Sequence, residues 1–164
     1  AESLEGRAWL VLALAALWAL RLSGYLAARN WGAPEDHRYR AIRARNEPGF
    51  AWKSLYLVFG LQAVLAWIIS APLAAAIFPG APAGPADAAG AALVVFGIAF
   101  EAVADAQLAR FKSDPRNAGR VLDRGLWRYT RHPNYFGECC VWWGFWLLAA
   151  AAGAWWTVFA PVLM

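Results

Sequence analysis

Charge is what this sequence has least of. Only 16% of its 164 residues are charged, against roughly 25% in an ordinary soluble domain, and its mean hydropathy is +0.40. A chain so poor in polar side chains does not have the surface of a water-soluble enzyme. Cysteine is scarce as well. Cys139 and Cys140 stand side by side in an apolar run, without the spacing of a zinc site or a redox pair, and read as buried thiols. No metal site is expected. The formal net charge of +4 would hint at an anionic partner if the charges were scattered, but they are not, so their positions matter more than their sum. No nucleic-acid partner is expected. A cleavable signal peptide is missing: the first apolar run is too long and has neither a basic flank nor a small-residue cleavage site. There is no internal repeat, and the only compositional bias is in Ala-rich stretches suited to close helix contact in lipid.

What the chain has instead is apolar bulk, 61% hydrophobic residues with eleven Trp. Four stretches, 8–28, 54–78, 88–109 and 133–156, reach the roughly 20 residues that a helix needs to cross the hydrocarbon core. A fifth, 157–164, is too short to judge. The fold class predicted is all-α, a polytopic transmembrane bundle of about four to five spanning helices forming one domain over 1–164. Pro72 and the Pro/Gly-rich segment 79–90, whose single charge is Asp87, should end the second helix in a tight hairpin loop. Thirteen of the fifteen basic residues fall in the other two connections, 29–53 and 110–132. The positive-inside rule makes both cytoplasmic, as in a protein of a bacterial inner membrane. The chain opens at Ala1 rather than Met and closes in an apolar stretch, so a piece of a longer protein is expected.

The informative residues are those the apolar runs should not contain: Arg21, Glu101, Asp105 and Glu138, with Gln62 as a neutral companion. An ionised group at mid-membrane costs roughly 2.5–3.5 kcal/mol on insertion scales, so each needs a partner or water. Counted from the nearest basic loop residue, Arg21, Gln62, Glu101 and Glu138 all lie about 10–14 Å below the membrane edge. Asp105 sits one turn nearer the loops on the face of Glu101, and Lys112 continues that face outward. An ion pair that merely ties helices together needs two charges. Three acids, one Arg, a Gln and a basic roof converging suit a hydrated cavity for a polar ligand with an anionic end.

The segment Arg131-His132-Pro133-Asn134-Tyr135-Phe136-Gly137-Glu138 sharpens this expectation. Pro133 suits a first helical position, leaving the free N–H groups of the next turn beneath arginines, a setting for phosphate. Asn134 and Glu138, one turn apart, offer an amide and a carboxylate to a sugar or base. His132 alone is equally a cap or a loop histidine.

This string, extended back to Gly125 and to Glu101, Ala104-Asp105, Gln107, Arg110-Phe111-Lys112 and Asn117, resembles the steroid 5α-reductase-like family of bacterial integral membrane proteins, the 3-oxo-5-alpha-steroid 4-dehydrogenase C-terminal domain type. Arg21-Leu22, Arg29-Asn30-Trp31-Gly32 and Glu35-Asp36-His37-Arg38-Tyr39-Arg40 extend the likeness over nearly the whole chain. It implies a seven-helix protein of which this chain is the third to sixth helices, lacking the first two and the last. It also implies NADPH as cofactor and reduction of the carbon–carbon double bond of a steroid-like or other lipophilic enone. Carried over, Glu101, Asp105, Lys112, Arg120, Asn134 and Glu138 line the NADPH site, with Arg131, His132 and Tyr135 flanking it. Lys112 and Arg120 face phosphates, and the carboxylates and Asn134 hold the nicotinamide and ribose end. The acid that activates the substrate is unassigned, because Trp18 stands where the animal enzymes have a Tyr. The Arg-His-Pro-x-Tyr core also occurs in isoprenylcysteine carboxyl methyltransferases, which bind S-adenosylmethionine, although Gly125-Leu126-Trp127 replaces their Gly-Pro-Tyr. A non-enzymatic membrane lipid-binding protein is the third reading.

Overall fold

The computed structural model describes residues 2–32, 34, 36–77 and 82–164. Every regular element among them is helical. The first helix, α1, covers Glu2–Asn30, and the short α2 covers His37–Asn46. The span α3 is Phe50–Ile77, α4 is Pro85–Ser113, α5 is Pro133–Ala151 and the terminal α6 is Phe159–Leu163. Three of them, α1 from Gly6 onward, α3 and α4, are long and apolar enough to cross a membrane. The 19 residues of α5 reach about 28 Å, but Asn134, Glu138 and three Trp interrupt its apolar run. It is the enclosed helix of the bundle, burying Gly137, Val141, Phe145 and Leu148, so lipid does not dictate its composition.

Packing begins with α4 and α5. A Cβ on Gly97 would stand 2.6 Å from the Gly137 carbonyl oxygen, and one on Gly90 would stand 3.0 Å from that of Gly144. The helices are therefore antiparallel and touch backbone to backbone, as small residues allow where no hydrophobic effect drives association. Val94, Val141, Phe145 and Leu148 fill the space beside these contacts, together with Val11 and Leu14 of α1. Both α1 and α5 also pack on the last segment of α3, Ala71–Ile77. Because α1 runs parallel to α4, with Arg7 paired to Asp87 and Arg21 to Glu101, the two basic connections leave the bundle at the same end.

Two sequence expectations need correcting. Pro72 does not end α3: the helix turns at Ser70 and resumes at Ala71, leaving Pro72 in a first turn where its missing N–H costs nothing. The α3–α4 connection is shorter than 79–90, since α4 starts at Pro85. Asp87 lies in the first turn of α4 and accepts the Gly84 N–H at 2.8 Å. Residues 78–81 of that connection, and Glu35 in the first basic one, fall outside the described residues.

Candidate functional site

The buried acids of α4 meet Arg21 of α1. Arg21 Nη1 donates to Asp105 Oδ2 at 2.8 Å, and Nη2 donates to Glu101 Oε2. Glu101 and Asp105 are only 1% and 5% exposed. The Glu101 side chain lies in the notch made by Gly137, where a Cβ would stand 2.6 Å from its Cγ. The close approach that assembles α4 and α5 thus also seats this carboxylate. Glu138 enters from α5, within electrostatic reach of Glu101, Asp105 and Arg21, and its Oε1 accepts Trp142 Nε1 at 3.2 Å. The Trp142 ring meets Trp18 of α1 edge-on at 5.6 Å.

This layer is not closed on itself. Three carboxylates face one guanidinium. Among the described residues, Glu101 Oε1, Asp105 Oδ1, Asn134 Oδ1, Arg21 Nε and Trp18 Nε1 are buried with no hydrogen-bond partner. Each such group costs about 1–3 kcal/mol when buried and unpaired, and more if charged. Polar atoms left in this way are ordinarily completed by water or a ligand.

Above it lies the roof predicted from the basic residues. The connection 114–132 folds back on the end of α4. Gln107 Oε1 accepts the Leu126 N–H at 3.0 Å, and Trp127 Nε1 donates to the Ala104 carbonyl at 3.0 Å. Gly125 holds φ +58° with the Gln107 side-chain amide against it, so a Cβ there is disfavoured by conformation and would displace that amide. Asn117 Nδ2 donates to the Phe111 carbonyl at 2.9 Å. Between this connection and α4 is a cavity of about 790 Å³ whose lining includes Lys112, Arg120, Arg131, His132 and Trp127. Among the described residues, the acids on its wall are Asp114 and Asp123. Hydrogen bonds from the Arg116 side chain, then from its backbone N–H, hold the Asp114 carboxyl below its ordinary value.

The structure thus divides the nine expected site residues. Lys112, Arg120, Arg131 and His132 share the cavity. Glu101, Asp105 and Glu138 belong to the deeper polar layer, Asn134 stands one helical turn before Glu138 on α5 with its Oδ1 buried and unpartnered among the described residues, and none of the four lines that cavity. Trp127 belongs to the cavity wall and is bonded to Ala104 beside the acids. Tyr135 is outside both, 67% exposed and stacked on His132 at 5.0 Å. Pro133 opens α5 as expected, with His132 before it as the cap residue.

Gln62 is not in the layer. It is exposed on α3, its nearest polar partner being the Tyr39 hydroxyl at 3.5 Å. Equal depth did not bring it in because the part of α3 that carries Gln62 does not pack on α4. Of the two thiols only Cys140 is buried, while Cys139 is exposed on α5, since consecutive helical residues point about 100° apart.

Sequence reasoning missed Trp142, although its place four residues after Glu138 is the spacing of a same-face pair. It also missed a second buried ion pair at the far end of α1 and α4. Arg7 Nε donates to Asp87 Oδ1 at 2.6 Å and Nη2 to Oδ2 at 2.9 Å, and Nη2 also reaches the Pro82 carbonyl at 3.2 Å.

No curated protein and no solved structure matches this chain. One family model does, over residues 1–164, under the description "Protein of unknown function (DUF1295)". With the match running from end to end of the sequence, this helical membrane protein belongs to the DUF1295 family.

Proposed function

We propose that the protein is a membrane-embedded reductase that binds NADPH and reduces the carbon–carbon double bond of a lipophilic enone. The observation that carries this reading is a basic cavity of about 790 Å³ beside a buried layer of unpartnered acceptors. Its volume falls within the roughly 300–1,000 Å³ of small-molecule sites. NADPH has phosphates in its middle and at one end, while its nicotinamide end hydrogen-bonds through an amide and a ribose. The donor set follows that division. Lys112, Arg120 and Arg131 would hold phosphate, and Asn134, Glu138, Glu101 and Asp105 offer acceptors for the amide and ribose. Lys112 and Asp105 are seven residues apart on α4, about 10 Å along the axis, a separation that an elongated cofactor can bridge. When bound, NADPH supplies the hydride. Arg21 holds Glu101 and Asp105 in place through its two hydrogen bonds, and the Trp18–Trp142 pair packs beside them. The resemblance of the segment 101–138 to steroid 5α-reductase-like proteins supports the same reading.

The test is titration of the intact protein with NADPH and with S-adenosylmethionine, at low and high salt. Arg120→Ala removes charge-assisted hydrogen bonds worth roughly 1.5–3 kcal/mol, so NADPH affinity should fall about ten- to a hundredfold, and less at high salt. Glu138→Gln should weaken binding with little salt dependence. Unchanged NADPH binding in both variants, with S-adenosylmethionine binding lost, would replace the reductase by a methyltransferase.

The orientation proposed puts the basic end in the cytoplasm. Ala83→Cys in a background without Cys139 should react with an impermeant thiol reagent only from the opposite side; labelling from the cytoplasm alone would reverse it.

A further inference from the structure

The outward face of α4 has a use that the acid layer does not explain. Phe96, Ala99, Val103, Ala106 and Arg110 recur at intervals of three and four and are all exposed, whereas Gly97, Glu101, Ala104 and Asp105 on the other side are buried. The apolar part of this stripe is what a lipid chain would cover. Its upper end runs into a second cavity, of about 690 Å³, walled by Val103, Ala106 and Phe111 and by four arginines. One of the four, Arg116, is neutralised by Asp114 at 2.9 Å. Arg110, Arg120 and Arg124 form no ion pair among the described residues. A stretch of basic loop that served only to orient the chain in the membrane would not need to gather three guanidinium groups around a concavity with an apolar wall.

We propose that this second cavity seats one anionic phospholipid. Its phosphate lies among Arg110, Arg120 and Arg124, and an acyl chain runs down Val103, Ala99 and Phe96. Charge complementarity selects the class: basic pockets beside membrane helices hold anionic head groups, and a choline cation next to the phosphate would be repelled by the same arginines. The length agrees. From Arg110 to Phe96 is about 21 Å of helix, enough to descend from the head-group level through one leaflet, about half of the roughly 30 Å core. No particular ligand in the first cavity is needed for this assignment, but the two sites are coupled: Arg120 lines both cavities, so occupancy of one alters the charge available to the other, and of the three phosphate arginines Arg110 and Arg124 are particular to this one.

The experiment uses the intact protein in mixed micelles, with native mass spectrometry counting retained lipid. Phosphatidylglycerol should be retained at one molecule per chain in preference to phosphatidylcholine. The double variant Arg110→Gln/Arg124→Gln should lower that retention about tenfold, each arginine near a lipid surface contributing a few-fold. Arg45→Gln, which removes a charge from the other basic connection, should leave it unchanged. Should the double variant fail to fold, phosphatidylglycerol with a photoactivatable group in its acyl chain should still label residues 96–106 of the unaltered protein. Equal retention of the two lipids, equal loss in Arg45→Gln, displacement by inorganic phosphate alone, or labelling confined to other helices would each overturn the proposal.

Discussion

Two buried charge clusters sit on the same pair of parallel helices, and they are built to opposite specifications. At one end Arg7 meets Asp87 in a two-pronged pair that also caps Gly84, and both side chains are nearly inaccessible. At the other, Arg21 is shared by Glu101 and Asp105, Glu138 lies within electrostatic reach, and atoms of Trp18, Arg21, Glu101 and Asp105 lack partners among the described residues. In both, the Arg of α1 meets an acid 80 positions later on α4, so helix register does not distinguish them. What differs is the balance of donors and acceptors. The Arg7–Asp87 carboxylate has both oxygens engaged, as a structural pair requires. The Arg21 cluster has surplus acceptors, the arrangement that the proposed binding site calls for.

The largest expected effect tests the closed pair. Asp87→Asn takes from Arg7 the carboxylate that balances its charge, and a guanidinium cannot escape by losing its proton. Unfolding in detergent should show a loss of about 3–5 kcal/mol. A loss below about 1 kcal/mol would mean that the pair is hydrated and structural in appearance only.

The next effect sharpens the link between packing and site. Gly97→Ala puts a methyl 2.6 Å from the Gly137 carbonyl oxygen, and the backbone cannot yield without separating α4 from α5. Overpacking of this kind costs about 1–3 kcal/mol. It should also weaken NADPH binding, because Gly137 and Glu101 move apart, whereas Gly24→Ala on α1, with open space at its Cβ position, should change neither.

The smallest effect on stability is expected in the open cluster. Glu101→Gln leaves Arg21 its bond to Asp105 and keeps the side-chain shape, so stability should change by no more than about 1 kcal/mol. Cofactor affinity should nevertheless drop. If Glu101→Gln unfolds the protein as readily as Asp87→Asn, the Arg21 cluster is a second structural clamp and the contrast drawn between the two ends is lost.

Much of this organisation was legible before any coordinates. Depth along a helix is counted in residues, so Arg21, Glu101 and Glu138 could be assigned to one layer from their distance to the basic loops, and the structure gathers them there. Pro133 opens α5 for a local reason, its missing N–H. Gln62 failed the same count because depth says nothing about which way a helix is turned. These helices are apolar nearly all round, so periodicity leaves the buried side undetermined. The same ambiguity made both cysteines look buried.

By itself, then, the sequence determined the all-helical class, the clustering of basic residues in two connections, the level of the ionisable residues and the helix start at Pro133, because composition, spacing and proline stereochemistry act locally. Only the tertiary structure decided the rest: that Arg7 reaches Asp87, that Trp142 donates to Glu138, and that the expected site divides into a basic cavity and a deeper acid layer. The physical reason is rotation. Gly90, Gly97, Gly137 and Gly144 set how α4 and α5 face each other through backbone contacts between residues 40 or more positions apart, and that angle decides which side chains of a uniformly apolar helix meet a partner and which meet lipid.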